Sequence, residues 1–186
     1  MTSNGLFELA EKLAIDVENN ARQAAERYDE ASQKFKEEGK LLQAAHSLKR
    51  AAHVLSQLSR LEEDDLIKVP TYYKDSGKLY HSIGYFDDAA KCIEKAAELY
   101  VTRLGNLREA YMCYALAKNY YGDAGDYTNC GLSYHKEMNT KRDFYWKMIS
   151  KKKKVIENIQ YFFKYIGYSL FKILSNYGES INKPLY

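Results

Sequence analysis

Proline occurs only twice in the 186 residues, at Pro70 and Pro184, so almost nothing in the chain forbids long helices. Cysteine is equally sparse. Cys92, Cys113 and Cys130 make an odd set without CxxC spacing, which argues against a disulfide framework or a zinc site and fits a reduced compartment. No basic-then-apolar leader is present, because Leu6 to Val17 is interrupted by Glu8, Glu11, Lys12 and Asp16; a secretory signal is not expected. The glycines form no phosphate-binding loop. The four histidines are scattered. His46 and His53 lie seven apart without an HExxH pattern, and Cys130 and His135 lie five apart, off the helical spacing that would align them. Metal, cofactor, small-molecule substrate and catalytic residues are therefore not expected, and neither is an enzyme.

What is present is mostly apolar, tyrosine-rich and unevenly charged. Apolar residues make up 46 %, enough for a packed core. The 18 tyrosines suit either a biased codon usage or a surface of amphipathic rings for protein contact. Residues 1–146 hold 20 Lys/Arg against 23 Asp/Glu, whereas residues 147–186 hold 8 Lys against Glu157 and Glu179. The net charge of +3 thus conceals an acidic body and a basic tail, and such a tail suits an acidic partner or surface. A single four-lysine run without a recognisable module does not make a nucleic-acid binder. The acidic run Glu62-Glu63-Asp64-Asp65 reads as a solvated loop and helix-entry charge set, ahead of a helix from residue 70, rather than a cation site.

A repeat organises the body. A turn residue is followed by a small residue five positions later and by another about seven beyond that. Gly39 leads to Ala44, Ala45 and Ala51, Ala52; Gly84 to Ala89, Ala90 and Ala96, Ala97; Gly105 to Ala110 and Ala117; Gly125 to Cys130 and Gly131. Asn19 leads to Ala24, Ala25 and Ala31 in the same phase. Glycine closes a helix in the left-handed conformation, and small residues seven apart share a face where neighbouring helices approach. A unit near twenty residues is one helix with its turn, and two units make an antiparallel pair. Helices are expected near 5–17, 20–37, 40–59, 70–82, 86–103, 106–122, 126–143 and 145–177, with Pro70 in the first turn of its helix. Nothing reads as a strand. Stacked pairs bury their faces only against neighbours, so the fold class is an all-α solenoid of about eight antiparallel helices, with a repeat domain over 1–143 and a basic amphipathic helix over 144–186.

The phrase Gly84-Tyr-Phe-Asp-Asp-Ala-Ala-Lys-Cys-Ile-Glu-Lys-Ala-Ala-Glu-Leu-Tyr100 resembles a tetratricopeptide-type helix. With Ala24-Ala25-Glu-Arg-Tyr28, Ala31, Phe35, Gln43-Ala44-Ala45 and Glu109-Ala110-Tyr111, its longer 40-residue spacing resembles the soluble NSF attachment proteins (SNAPs). The resemblance covers roughly residues 19–140. It implies a tetratricopeptide-like right-handed αα-superhelix and a cytosolic adaptor that packs against a SNARE-type helical bundle and recruits an ATPase. The family's tail is acidic with a penultimate leucine; here Leu185 is penultimate, a candidate C-terminal contact, and the tail before it is basic. On this reading Tyr72, Tyr73, Lys78, Tyr80, Tyr111, Tyr114, Lys118 and Tyr121 are the candidate partner-binding residues, several of them shared with inter-helix packing.

The segment from Phe144 changes character. Lys151 to Lys154 precede Val155, Ile159, Phe162, Phe163, Ile166, Leu170, Ile173, Leu174 and Tyr177, which fall at three-and-four spacing on one face. Lys164 and Lys172 interrupt the apolar stretch and exclude a membrane span. Three readings stay open: a capping helix over the last repeat, an interfacial helix on anionic lipid, or a helix docked in a partner's groove. In the latter two, Lys151, Lys152, Lys153, Lys154, Lys164 and Lys172 are the candidate contacts. A membrane-surface scaffold, peripheral to the membrane, and a tetratricopeptide-like peptide-binding module are the alternatives to the adaptor.

Overall fold

The computed structural model describes residues 1–58 and 60–181, with side chains for all of these except 18, 19, 163 and 165–181. Among the described residues there are seven helices and no strand: α1 (Ser3–Leu13), α2 (Val17–Glu37), α3 (Leu41–Ser56), α4 (Glu63–Ser82), α5 (Phe86–Thr102), α6 (Leu107–Asp123) and α7 (Tyr127–Ile181). The chain divides into two compact units, Met1–Asp143 and Phe144–Tyr186. In the first, consecutive helices pack on one another from α1 through to α6, as in an α-solenoid.

The glycine turns are as expected. Gly39, Gly84, Gly105 and Gly125 have φ of 72°, 83°, 59° and 74°. At Gly39 the reason is visible: the Lys40 N–H donates back to the Phe35 carbonyl at 2.8 Å, closing a Schellman cap that needs a left-handed residue. The small residues form the contact faces. Ala24, Ala31, Ala44, Ala45, Ala51, Ala52, Ala89, Ala90, Ala96, Ala97, Ala110 and Ala117 are all wholly buried, which lets the backbones approach. The larger Tyr28, Leu55, Val69 and Ile93 fill the remaining space. Burying each aliphatic side chain contributes about 1.5–3 kcal/mol.

Three boundaries differ from the expected ones, each for a physical reason. Asn19 lies inside α2 rather than at a turn; the break falls at residues 14–16 instead. The helix containing Pro70 begins seven residues earlier than expected, at Glu63, so Pro70 sits in its interior. A capping box starts it there: the Glu62 and Asp65 carboxylates reciprocally accept the N–H of Asp65 and of Glu62. Arg22 of α2 then secures this first turn with ion pairs of 3.0 Å to Glu62 and 2.9 Å to the buried Asp65. Finally, the two last expected helices are one. No proline or glycine separates Asp143 from Tyr145, and α7 runs through without a break. Its start is capped by Asp126, whose carboxylate accepts the Asn129 N–H at 3.0 Å.

Polar links between helices two apart define two layers in the first unit. One layer joins α1, α3, α5 and the first part of α7: Arg50 pairs with Glu11, Lys49 with Asp88, and Lys136 with Glu94 and Glu98. The other joins α2, α4 and α6: Arg22 pairs with Asp65, Lys74 with Glu109, and His81 meets Asp123 at 2.9 Å while stacking on Tyr120. Most of these pairs are partly exposed, and each is worth about 0–1 kcal/mol. Their value lies in register, because each ties a helix to its counterpart in the next repeat.

Candidate helical-partner groove

The α3 sequence puts His46, Lys49, Arg50 and His53 at i, i+3, i+4 and i+7, a single stripe on the helix. Across from it α5 presents Lys91, Glu94, Lys95 and Glu98. Between the two stripes lies a groove of about 540 Å³, floored by Tyr73 and Cys92. A second hollow of about 450 Å³, lined by Asn4, Phe7, Phe35, Leu42, Gln43 and Tyr80, shares His46 with the first. The walls are therefore charged and the floor largely apolar, with four permanent cations (Lys49, Arg50, Lys91, Lys95) against Glu94 and Glu98.

Each charge has a definite setting. The Arg50 guanidinium grips Glu11 with two bonds, Nε to Oε1 at 2.9 Å and Nη2 to Oε2 at 2.7 Å. The Tyr28 hydroxyl donates to the same carboxylate at 2.6 Å. The hydrogen bond from Arg50 holds the Glu11 carboxyl below its usual range. Burial, reinforced by the Glu11 acceptor, pushes the Tyr28 phenol up to about 12. The His46 ring lies tilted against Phe7, and burial foremost, then the neighbouring Arg50 and Lys49, lowers its pKa and favours the neutral ring. Glu94 is held internally, accepting from Lys136 at 2.8 Å and from the Tyr121 hydroxyl at 2.9 Å.

The groove has no activated nucleophile. Cys92 is buried, and burial pushes its thiol up, the reverse of what a nucleophilic cysteine needs. Its neighbour Ser76 donates to the Ala45 carbonyl at 2.7 Å, a structural tie between α4 and α3. Among the described residues no group of three or more His, Cys, Asp or Glu side chains is placed to hold a metal ion.

The residues expected to bind a partner separate into groups. Tyr73, Tyr80, Tyr114 and Tyr121 are buried between helices, and of these Tyr73 and Tyr80 still line the two hollows. Tyr72 is half-buried with its hydroxyl 3.5 Å from Asp29, and Tyr111 is half-buried beneath Lys141. Lys78 is exposed and pairs with Asp75. Lys118 pairs with Glu137 and lies over the Tyr134 ring. The α3 stripe was not among the expected site residues, although its spacing was readable. In the second unit Lys151 to Lys154 and Lys164 are exposed. The side chain of Lys172 and the whole of Leu185 lie outside the described residues. None of the described helices is long and apolar enough to cross a membrane.

Alanine-faced helix pairs tied in register by polar links define a helical-repeat scaffold. The model of the family "Soluble NSF attachment protein, SNAP" matches residues 12–140, and the chain belongs to that non-enzymatic adaptor family. None of the curated proteins compared matches. Among solved structures, the chain is similar to BtubC (BKLC) from P. vanneervenii, at 16 % identity and a TM-score of 0.44 over 74 % of this chain. The chain spans about half, 54 %, of that protein's length.

Proposed function

We propose that the chain is a SNAP-like adaptor that holds an acidic face of a helical protein bundle, of the SNARE type, along the α3–α5 groove, acting at the cytoplasmic side of fusing vesicles. The observation that carries this reading is the stripe His46, Lys49, Arg50 and His53 facing Lys91 and Lys95 across an apolar floor. A helix in a bundle offers carboxylates at the same three-and-four spacing, so its charges can meet the stripe in register while its apolar flank covers Tyr73. Because Glu11 already holds it with two bonds, Arg50 is fixed in place and need lose little side-chain freedom on binding. Tyr72, Lys78, Tyr111 and Lys118, more accessible than the buried tyrosines, would extend the contact surface.

Capture of the chain on an immobilised SNARE-type bundle tests the proposal. Reversing Lys49 and Lys95 together (Lys49→Glu, Lys95→Glu) should weaken capture about tenfold or more, and most at low salt, since screening shortens the reach of these charges. Equal capture of the reversed and native chains, or capture of neither, contradicts it.

A further inference from the structure

The groove leaves the second unit unused, and there α7 exposes its apolar residues rather than burying them. Tyr145, Met148, Ile149, Val155, Ile156 and Ile159 are 49, 41, 54, 56, 54 and 49 % exposed. At 100° per residue these six fall within about 120° of the helix circumference, while the exposed Trp146 and Tyr161 lie on the remaining surface. Lys152 stands in the middle of that stripe, and Lys151, Lys153 and Lys154 take the other directions around the helix. Ile149, Ile156, Lys152 and Lys153 border one shallow hollow of about 390 Å³, so charge and apolar surface adjoin directly. Among the described residues the ion pair that engages this run is the loose Lys153–Glu157 contact at 3.9 Å.

The position of the lysines chooses the occupant. In a parallel pair of two copies, the four-lysine runs would face each other. A helix packed along the stripe would bury Lys152 in an apolar seam, at a desolvation cost that a single opposing carboxylate barely offsets. An anionic lipid layer has neither problem. Its headgroups are mobile in the plane, the lysine stems can snorkel to them, and the isoleucines reach the acyl boundary. We infer that residues 144–164 dock on an anionic lipid surface, with Lys151, Lys152 and Lys153 reaching the headgroups and Ile149, Ile156 and Ile159 inserted beneath. This inference stands apart from the bundle-binding groove and does not depend on it.

Flotation of the full chain with vesicles of phosphatidylcholine, with and without phosphatidylserine, is the test. The chain should float with the anionic vesicles and stay behind with the neutral ones. Replacing all four lysines by glutamine (K151Q, K152Q, K153Q, K154Q), which preserves helix propensity, should lower partitioning about a hundredfold or more. A second variant, Ile156→Ser with Ile159→Ser, should lose binding while keeping the lysines, and circular dichroism confirms that both variants stay helical. Equal flotation with both vesicle types, failure to float with either, or undiminished binding of the glutamine variant overturns the inference. Capture of an acidic helical protein by this segment, with vesicles ignored, overturns it as well.

Discussion

Replacing Gly77 with alanine probes how closely α4 and α5 approach. In an open helix interior this exchange stabilises by about 0.8–1 kcal/mol, because alanine loses less backbone freedom. At Gly77 the new methyl would lie 2.8 Å from both Cγ1 and Cδ1 of Ile93 and 3.0 Å from the Ala89 carbonyl oxygen. Ile93 is wholly buried and β-branched, so it has few other rotamers, and the Ala89 oxygen is backbone. The helices must therefore part, and overpacking of this kind costs about 1–3 kcal/mol. The net expectation is a destabilisation of up to about 2 kcal/mol, or a Tm lowered by up to about 8 °C for a chain of this size. Gly131, in the interior of α7 with nothing within 4 Å of an added Cβ, is the internal control: Gly131→Ala should be neutral or raise stability by up to about 1 kcal/mol. Urea melts of the two variants beside the native chain decide the matter. A Gly77→Ala chain as stable as the Gly131→Ala chain would refute the close approach of α4 and α5.

Alkaline pH should act on the same core. Tyr28, Tyr72 and Tyr80 are pushed up to about 12, chiefly by burial, from an ordinary value of 10.0. A raised folded-state value means the neutral phenol is favoured, so the stability it supplies is intact below pH 10 and is lost as pH climbs towards 12. Melts from pH 8 to 12 should show a flat region and then a steep fall, with tyrosinate absorbance appearing late; ionisation at the ordinary value without loss of stability would contradict the burial. Asp65→Ala removes the capping-box carboxylate and the partner of Arg22, and should cost about 1–2 kcal/mol with faster amide exchange in the first turn of α4. If exchange there is unchanged, Pro70 sets the helix start instead. Glu11→Gln should weaken the Arg50 grip and slacken α1 against α3, seen as earlier proteolysis near residues 14–16.

Local signals in the sequence carried most of the fold. Gly39 and Gly84 announce helix ends because few other residues adopt their φ, and the alanine pairs announce faces because only small side chains permit such approach. Asn19 misled because asparagine serves both in turns and inside helices, and its phase with Ala24 and Ala31 matched by coincidence. The start of α4 was hidden because its cap uses Glu62 with Asp65, a weaker pattern than serine with glutamate, and because Pro70 drew the boundary to itself. A change of composition near Phe144 suggested a break that the backbone does not make, since composition changes a helix's surroundings without ending it.

The groove was less legible than the fold. Tyrosine looks like surface in a sequence, yet Tyr73, Tyr80, Tyr114 and Tyr121 fill slots that alanine leaves between helices, each sealed by contacts from distant elements. The α3 stripe could have been found, because His46, Lys49, Arg50 and His53 share a face on spacing alone. Which α5 residues stand opposite depends on how α4 folds the chain back, and no local pattern reports that.

Acetylation footprinting of lysines, with and without a SNARE-type bundle, tests the central claim most directly. Lys49, Lys91 and Lys95 should become protected on binding, while the exposed Lys68 on α4 stays reactive. Protection confined to α4, or none at any of these lysines, would contradict a partner seated in the α3–α5 groove.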